Sequence, residues 1–110
     1  MATSYRILGQ LESAAATLET LYTVPGSTST VLSSINICNR TSASKAVRIA
    51  IRQNGAIISN QQYIAYDLAI AANDSVALSL GVTLSAGDVV SVYASSASSV
   101  SWNLFGSEIS

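Results

Sequence analysis

The stretch "KAVRIAIRQNG" at residues 45–55 decides the fold class, because apolar and polar residues alternate along it for the full length of a strand. One side of an extended chain would carry Val47, Ile49 and Ile51, and the other side Arg48, Ala50 and Arg52. Asn54 and Gly55 follow, and both residue types accept the positive φ angles of a tight turn. The stretch therefore predicts a half-buried strand that ends in a hairpin turn.

The same signal recurs on both sides of this stretch. Further strand-like segments, separated by turn residues, are SYRILGQ, TLYTV, TVLSSINICN, QQYIAYDLAI, SVALSLGVTL, VVSVYASS and SVSWNLFGSEI. About eight short strands at such spacing are typical of an antiparallel sandwich. We predict one all-β domain over residues 1–110, with either a jelly-roll or an immunoglobulin-like strand order. Residues 10–20 lack a sustained apolar stripe, and we interpret them as a loose N-terminal linker or arm.

The composition excludes several classes of function. Five basic residues against six acidic ones give a net charge of −1, so the chain has no basic cluster for nucleic acid. The long uncharged tract over residues 89–107 is interrupted throughout by serine, so we expect no membrane partner. The first residues turn polar too early for a signal peptide, and we expect a protein that is made and used without secretion.

Residues able to carry out catalysis are scarce. Histidine is absent, and the six acidic residues form no paired motif such as DxD or ExxE. Asp74 and Asp88 lie in predicted turns, where an aspartate ordinarily bonds to nearby backbone. Cys38 has no histidine partner and is interpreted as a small apolar filler. The glycines fit no phosphate-binding spacing, so we predict no enzyme, no metal and no cofactor.

The low charge also raises a question about the outer surface. Only 10% of the residues are charged, against roughly a quarter in ordinary soluble domains. Residues 21–40, "LYTVPGSTSTVLSSINICNR", contain one charged residue, the final Arg40, and their polar positions are serine, threonine and asparagine. Monomeric domains normally use charge to stay apart. We infer a building block whose exterior is covered by other copies, as in a homo-oligomer, or by a larger particle.

Five residues are candidates for contacts with a partner. Arg40, Arg48 and Arg52 share parity on neighbouring predicted strands and could meet an acidic protein surface, although a solvated face explains them equally well. Tyr63 and Tyr66 are predicted on opposite faces of one strand, so that at least one points outward. An exposed tyrosine there could stack on a sugar or anchor a protein contact. Trp102 alternates with apolar neighbours and is predicted to lie in the core.

Several segments together resemble a family of small virion structural proteins of tailed bacteriophages, of the cyanophage and marine phage type. They are "TLYTVP", "INICNRTSASKAVRIAIR", "YIAYDLAIAANDSVALSLGVTL", "DVVSVYAS" and "VSWNLFGSEI", and they run from about residue 9 to residue 109. The most specific pieces are "YTVP", "CNR", "YDLAIAAND" and "FGSEI". The resemblance implies an all-β component of the virion, assembled in the cytoplasm of the bacterial host, without enzymatic activity or catalytic residues.

The resemblance leaves the place in the virion open. The first choice is a capsid cement or decoration protein that bridges capsomers and binds the major capsid protein. The second choice is a module of the tail, baseplate or fibre that binds tail or fibre proteins. A third reading, from the residues alone, is a carbohydrate-binding sandwich that offers Tyr63, Tyr66 or Trp102 to a host glycan.

Overall fold

The computed structural model describes residues 2–13 and 16–110, which form eight strands and two short 3₁₀ turns. The strands are β1 (Thr3–Glu12), β2 (Glu19–Thr23), β3 (Ser29–Asn39), β4 (Lys45–Arg52), β5 (Tyr63–Ile70), β6 (Ser75–Leu84), β7 (Val89–Ala94) and β8 (Val100–Ile109). The 3₁₀ turns, Gln53–Gly55 and Asn60–Gln62, lie between β4 and β5. The prediction of an all-β chain with about eight strands is confirmed.

The strands pair in a nested order that defines the topology. β1 pairs with β8, β2 with β7, β3 with β6 and β4 with β5, all antiparallel. Two further antiparallel ladders, β3 with β8 and β4 with β7, complete the sheets. Sheet one has the order β1-β8-β3-β6, and sheet two has the order β2-β7-β4-β5. Because alternate nested pairs fall in opposite sheets, the strand order is that of a jelly roll, one of the two predicted alternatives.

Alternation along the strands builds the core between the two sheets. In β8 every second residue from Val100 is buried, and in β4 the same holds for Val47 and Ile49. Trp102 is fully buried in the core, and its indole Nε1–H donates to the hydroxyl of Ser13 at 2.8 Å. The predicted core position of Trp102 and the inward face of β4 are thus confirmed.

Two buried polar side chains tie the ends of the sandwich together. Asn39, at the end of β3, donates through Nδ2 to the carbonyl oxygens of Ala43 at 2.9 Å and of Ile70 at 3.1 Å. At the opposite end, the buried hydroxyl of Tyr22 contacts Thr30 Oγ1 at 2.8 Å and donates to Glu108 Oε2 at 2.6 Å. These contacts cross from one sheet to the other, so they fix how the sheets sit on each other.

The turn after β4 differs in length from the predicted hairpin. Asn54 and Gly55 do adopt positive φ angles, 52° and 69°. However, β4 ends at Arg52 and β5 begins only at Tyr63, so the connection is long. Arg52 stabilises this connection, because its guanidinium donates to the carbonyl oxygens of Gly55 at 3.0 Å and Ala56 at 2.8 Å. The side chain holds the chain in a wide loop.

The predicted linker over residues 10–20 is largely ordered where the structure describes it. Residues 10–12 belong to β1 and residues 19–20 belong to β2. Ser13 is buried, and its N–H donates to the carbonyl of Val100 at 3.1 Å. Residues 11–20 gave no strand signal because they contain only the last two residues of β1 and the first two of β2, too few to show an alternation. Residues 14 and 15 lie outside the described part of the chain. In that part, no helix has the length and apolarity needed to cross a membrane.

Candidate interaction surfaces

The outer face of sheet one, here called the serine face, is a nearly uncharged surface. Strand pairing places its residues in cross-strand rows, for example Ile7 opposite Phe105 and Gln10 opposite Asn103. The outward-facing positions on the four strands are Tyr5, Ile7, Gln10, Glu12, Val31, Ser34, Asn36, Cys38, Ser75, Ala77, Ser79, Thr83, Ser101, Asn103, Phe105 and Ser107. Only Glu12 is charged, and it lies at one corner. The uncharged exterior that the composition predicted is therefore a single continuous face.

The serine face also exposes large apolar side chains near one end. Tyr5 is 85% exposed and Ile7 is 50% exposed, on an edge strand where no neighbour covers them. Elsewhere on the face most side chains are small or are amides, and Gln10 Nε2 donates to Asn103 Oδ1 at 2.7 Å. Exposed apolar groups on a flat surface with small neighbours are typical of a protein-contact surface.

The charges that the protein does carry are largely neutralised within the chain. Three ion pairs join Arg6 to Glu108 at 3.0 Å, Arg40 to Glu12 at 2.7 Å and Arg48 to Asp67 at 2.7 Å. Asp88 accepts hydrogen bonds from the backbone N–H groups of Asn54 at 2.8 Å and Ser85 at 2.9 Å. Asp74 likewise accepts from the N–H of Ser75 at 2.8 Å, as expected of turn aspartates. Little net charge remains to steer a charged partner.

The outer face of sheet two carries a different feature, the tyrosine–arginine cluster of Arg48, Tyr63, Tyr66, Asp67 and Tyr93. The Arg48 guanidinium carbon lies 4.1 Å from the ring centroid of Tyr66 and 4.6 Å from that of Tyr93. The ring of Tyr63 meets that of Tyr66 edge to face, with centroids 4.9 Å apart. Each contact restrains its neighbour, so the cluster presents a preorganised surface.

The ion pair within the cluster fixes its charge state. Arg48 Nε–H donates to Asp67 Oδ1 at 2.7 Å, and this hydrogen bond raises the pKa of Arg48 above its usual value. The guanidinium therefore stays charged at any ordinary pH. Beside it, Asn60, Tyr63 and Tyr66 line an open concavity of about 470 Å³. Tyr66 is 58% exposed there, so an aromatic side chain and an amide face the same space.

The structure brings three of the five predicted contact residues together. Arg48, Tyr63 and Tyr66 belong to the cluster, and Arg52 lies on the same strand but holds the loop after β4. Arg40 lies apart, because it follows β3 at the other end and pairs with Glu12. Sequence reasoning missed Tyr93, although its parity in β7, opposite to that of Val90 and Val92, already indicates the outward face.

The prediction that Tyr63 and Tyr66 lie on opposite faces is wrong, because β5 contains two bulges. Pairing with β4 runs from Val47 opposite Leu68 to Ile49 opposite Ala65, which leaves Tyr66 and Asp67 both facing Arg48. Asp67 has φ of 52°, the left-handed conformation that such an extra residue adopts. The second bulge lies between the two tyrosines: Ala65 is opposite Ile49 and Tyr63 is opposite Ala50, so Ile64 is an extra residue. It shifts the parity of the strand, and both tyrosines therefore reach the outer face.

Chemistry-bearing groups do not converge on either face. Among residues 2–13 and 16–110, no three His, Cys, Asp or Glu side chains are close enough to hold a metal ion. Cys38 is partly exposed on the serine face and is not in a disulfide.

Comparison with known proteins places the fold. A chain of the T13 IBDV viral particle is similar in structure, with a TM-score of 0.55 at 12% sequence identity. The alignment covers 96% of this chain and 30% of that chain, so the protein spans less than a third of the viral chain. At this identity the likeness concerns the fold alone. No protein-family model matches the chain, and no curated protein matches it.

Proposed function

We propose that this protein is a structural component of a virion, without enzymatic activity, that binds its neighbours through the serine face. Within that role, we propose capsid cement or decoration in a tailed bacteriophage, with the major capsid protein as the partner. Attachment to tail, baseplate or fibre proteins is the alternative location. Assembly would take place in the cytoplasm of the bacterial host.

The serine face is the observation that carries this proposal. Small side chains lose little rotamer freedom when buried, and they let a partner approach the sheet closely. Tyr5 and Ile7 supply apolar anchors at one end of the face. A cement protein needs only modest affinity at each site, because many copies on a shell act together. Each bound copy adds buried area at a junction that must break before the shell opens.

The fold gives independent support. Jelly rolls occur in viral capsid domains and in lectins, and the similar solved chain belongs to a viral particle. The resemblance of segments such as "YTVP" and "FGSEI" to tailed-phage virion proteins favours a phage over other viruses. Arg40 and Arg48 each form an ion pair with an acidic residue of the same chain. This argues against the predicted contact of these arginines with an acidic capsid surface and favours the uncharged serine face instead.

The location is tested on intact particles. Gold-labelled antibody against the protein, followed by electron microscopy, is expected to decorate the head. Particles that lack the protein should lose DNA at lower temperature than complete particles, and the purified protein should restore the difference. Labelling of the tail alone would contradict the cement role and support attachment to tail, baseplate or fibre proteins. A label absent from all particles would refute the virion role.

The contact face is tested by substituting two exposed isoleucines. Ile7→Lys places a charge in the serine face, and we expect at least tenfold weaker binding to particles that lack the protein. Ile57→Lys is the matched control, because Ile57 is 87% exposed in the loop between β4 and β5. Sedimentation of the variants with particles measures the bound fraction. Equal binding of both variants would contradict a role for the serine face.

The concavity beside the tyrosine–arginine cluster favours a second candidate, binding of a host glycan. Tyr63 and Tyr66 supply aromatic surface and Asn60 supplies an amide, which together suit a sugar ring. Tyr66→Ala should abolish any signal on a glycan array. Tyr5→Ala, which removes an exposed tyrosine from the other sheet, should leave it unchanged. If the unmodified protein binds no glycan on the array, this candidate function is refuted.

A further inference from the structure

The sandwich is open along one side, between the edge strands β5 and β6, here called the seam. A cleft of about 360 Å³ lies there, lined mainly by Ile49, Ile64, Ala65, Leu78, Leu80 and Val82. Ile64 is 47% exposed, and the inward side chains of β6 are only partly buried. The hydrophobic core therefore reaches the surface along this side.

The edge of β6 lacks the charged residues found on the other edge strands. β1 carries Arg6 and Glu12, and β2 is only 5 residues long. β5 is interrupted by two bulges and carries Asp67. β6 runs for 10 residues, SVALSLGVTL, with one bulge at Leu80 and Gly81, and is the only one of these four described strands without a charged residue. A long uncharged edge offers unpaired backbone groups to another strand.

We propose that a second copy of this chain pairs with β6 through its own β6, antiparallel and across a two-fold axis. Sheet one would then continue through eight strands over the two copies. The inward row of the partner's β6, with Val76, Leu78, Leu80 and Val82, would lie over the first copy's seam and cover Ile64. Each copy thus covers the exposed seam of the other copy with an apolar row of its own.

The distribution of charge favours a second copy over a charged partner. No residue from Ser75 to Leu84 is charged, so the two strands meet without like-charge repulsion. Asp74 immediately precedes β6, and antiparallel pairing places the two copies of Asp74 at opposite ends, roughly 30 Å apart at the strand rise. The Asp74 carboxylate is also bonded to the N–H of Ser75.

The size of the seam is also compatible with a dimer. A strand of 10 residues is about 34 Å long, and the shortest dimension of the molecule is 20 Å. The side of the sandwich along β6 therefore offers roughly 700 Å² per copy, close to the about 800 Å² per partner of stable complexes. The pairing uses the backbone edge of β6 and its inward apolar row, and it needs neither the outward side chains of the serine face nor a virion. It can therefore fail independently of the proposed function.

Hydrogen exchange at two protein concentrations tests the pairing directly. At high concentration, where sedimentation velocity should show a dimer, the amides of residues 75–84 that point away from β3 should exchange at least tenfold more slowly than in the dilute protein. Amides of the other edge strands, β1, β2 and β5, should exchange at the same rate in both samples. A monomer at all concentrations, or protection confined to another edge, would overturn the proposal.

A pair of double variants separates the edge from the face. Ala77→Lys with Ser79→Lys places charges on β6, and we expect a monomer at every concentration. The matched control, Ser34→Lys with Asn36→Lys, places the same charges on the directly paired positions of β3, on the same face. The control should remain a dimer, and circular dichroism should show both variants folded. A dimer lost only in the control would assign the interface to the serine face and overturn the edge pairing.

Discussion

At the scale of single residues, buried hydroxyl and amide groups stabilise this sandwich at its ends. Tyr22 shows how: its ring belongs to the core, and its hydroxyl contacts Thr30 and Glu108, the latter also paired with Arg6. Burial, reinforced by the hydrogen bond to Glu108, raises the pKa of Tyr22 to about 12. One phenol group thus links sheet two to the last strand of sheet one.

Removal of that hydroxyl should destabilise the protein. Tyr22→Phe leaves the buried Thr30 hydroxyl and one Glu108 oxygen without their partner, and we expect a loss of about 1–2 kcal/mol in the free energy of unfolding. The melting temperature should fall by about 5–10 °C. Tyr5→Phe, at a fully hydrated position, is the control and should change neither value measurably. An unchanged melting temperature in both variants would contradict the assigned role.

The same residue predicts a dependence on alkaline pH. The folded pKa of about 12 exceeds the ordinary value of 10.0, so the folded state holds the phenolic proton more tightly than the unfolded state. The resulting stabilisation is complete below pH about 10 and is lost as the pH rises through about 12. Urea unfolding across this window should show a steeper decline for the unmodified protein than for Tyr22→Phe. Parallel declines would contradict the prediction.

At the scale of the strand, two glycines allow close approach of the backbone, Gly106 between neighbouring strands of sheet one and Gly9 between the two sheets. A Cβ atom on Gly106 of β8 would lie 2.2 Å from the carbonyl oxygen of Val31, and one on Gly9 of β1 would lie 2.5 Å from that of Leu21. Both obstacles are backbone atoms, which cannot rotate away. The paths of β1 and β8 through the sandwich therefore require a residue without a side chain at these two positions.

Substitution of the first of these glycines should be severe. Gly106→Ala forces the backbone of β8 away from β3, and we expect a loss of about 3 kcal/mol in the free energy of unfolding. Gly26→Ala is the matched control, because a Cβ there meets nothing within 4 Å. Thermal melts of both variants provide the measurement. A Gly106→Ala protein as stable as the control would show that β8 can shift without cost.

The same scale shows why parts of the fold were predictable. β4 alternates without interruption, so the inward positions of Val47 and Ile49 could be read from the sequence. The extra residues of β5 break that period, and no residue around Tyr66 signals a bulge in advance. The tyrosine–arginine cluster was therefore only half predicted. Strand order escaped prediction because periodicity reports which face is buried and never which strands pair.

At the scale of the whole molecule, each ladder joins the two halves of the chain. Strands β1 to β4 pair only with β5 to β8 in all six ladders of the described strands. Long-range pairing of this kind folds slowly, because distant segments must meet before any ladder stabilises them. Neither half can build a sheet from its own strands.

Separate halves should therefore fold only together. Peptides of residues 1–57 and 58–110 are cut within the exposed loop between β4 and β5, and each should give the circular dichroism of an unfolded chain. Mixed at equal concentration, they should recover the β-sheet spectrum and a cooperative melt. A stable sheet in either peptide alone would contradict the nested pairing.

The nested ladders also bear on synthesis in the cell. When the ribosome has released β1 to β4, the nascent polypeptide exposes four apolar strands that have nothing to pair with. Folding must wait for the second half to emerge, and during that delay molecular chaperones or neighbouring nascent chains compete for the exposed strands. Rapid translation of the second half would shorten this vulnerable interval and raise the yield of native protein.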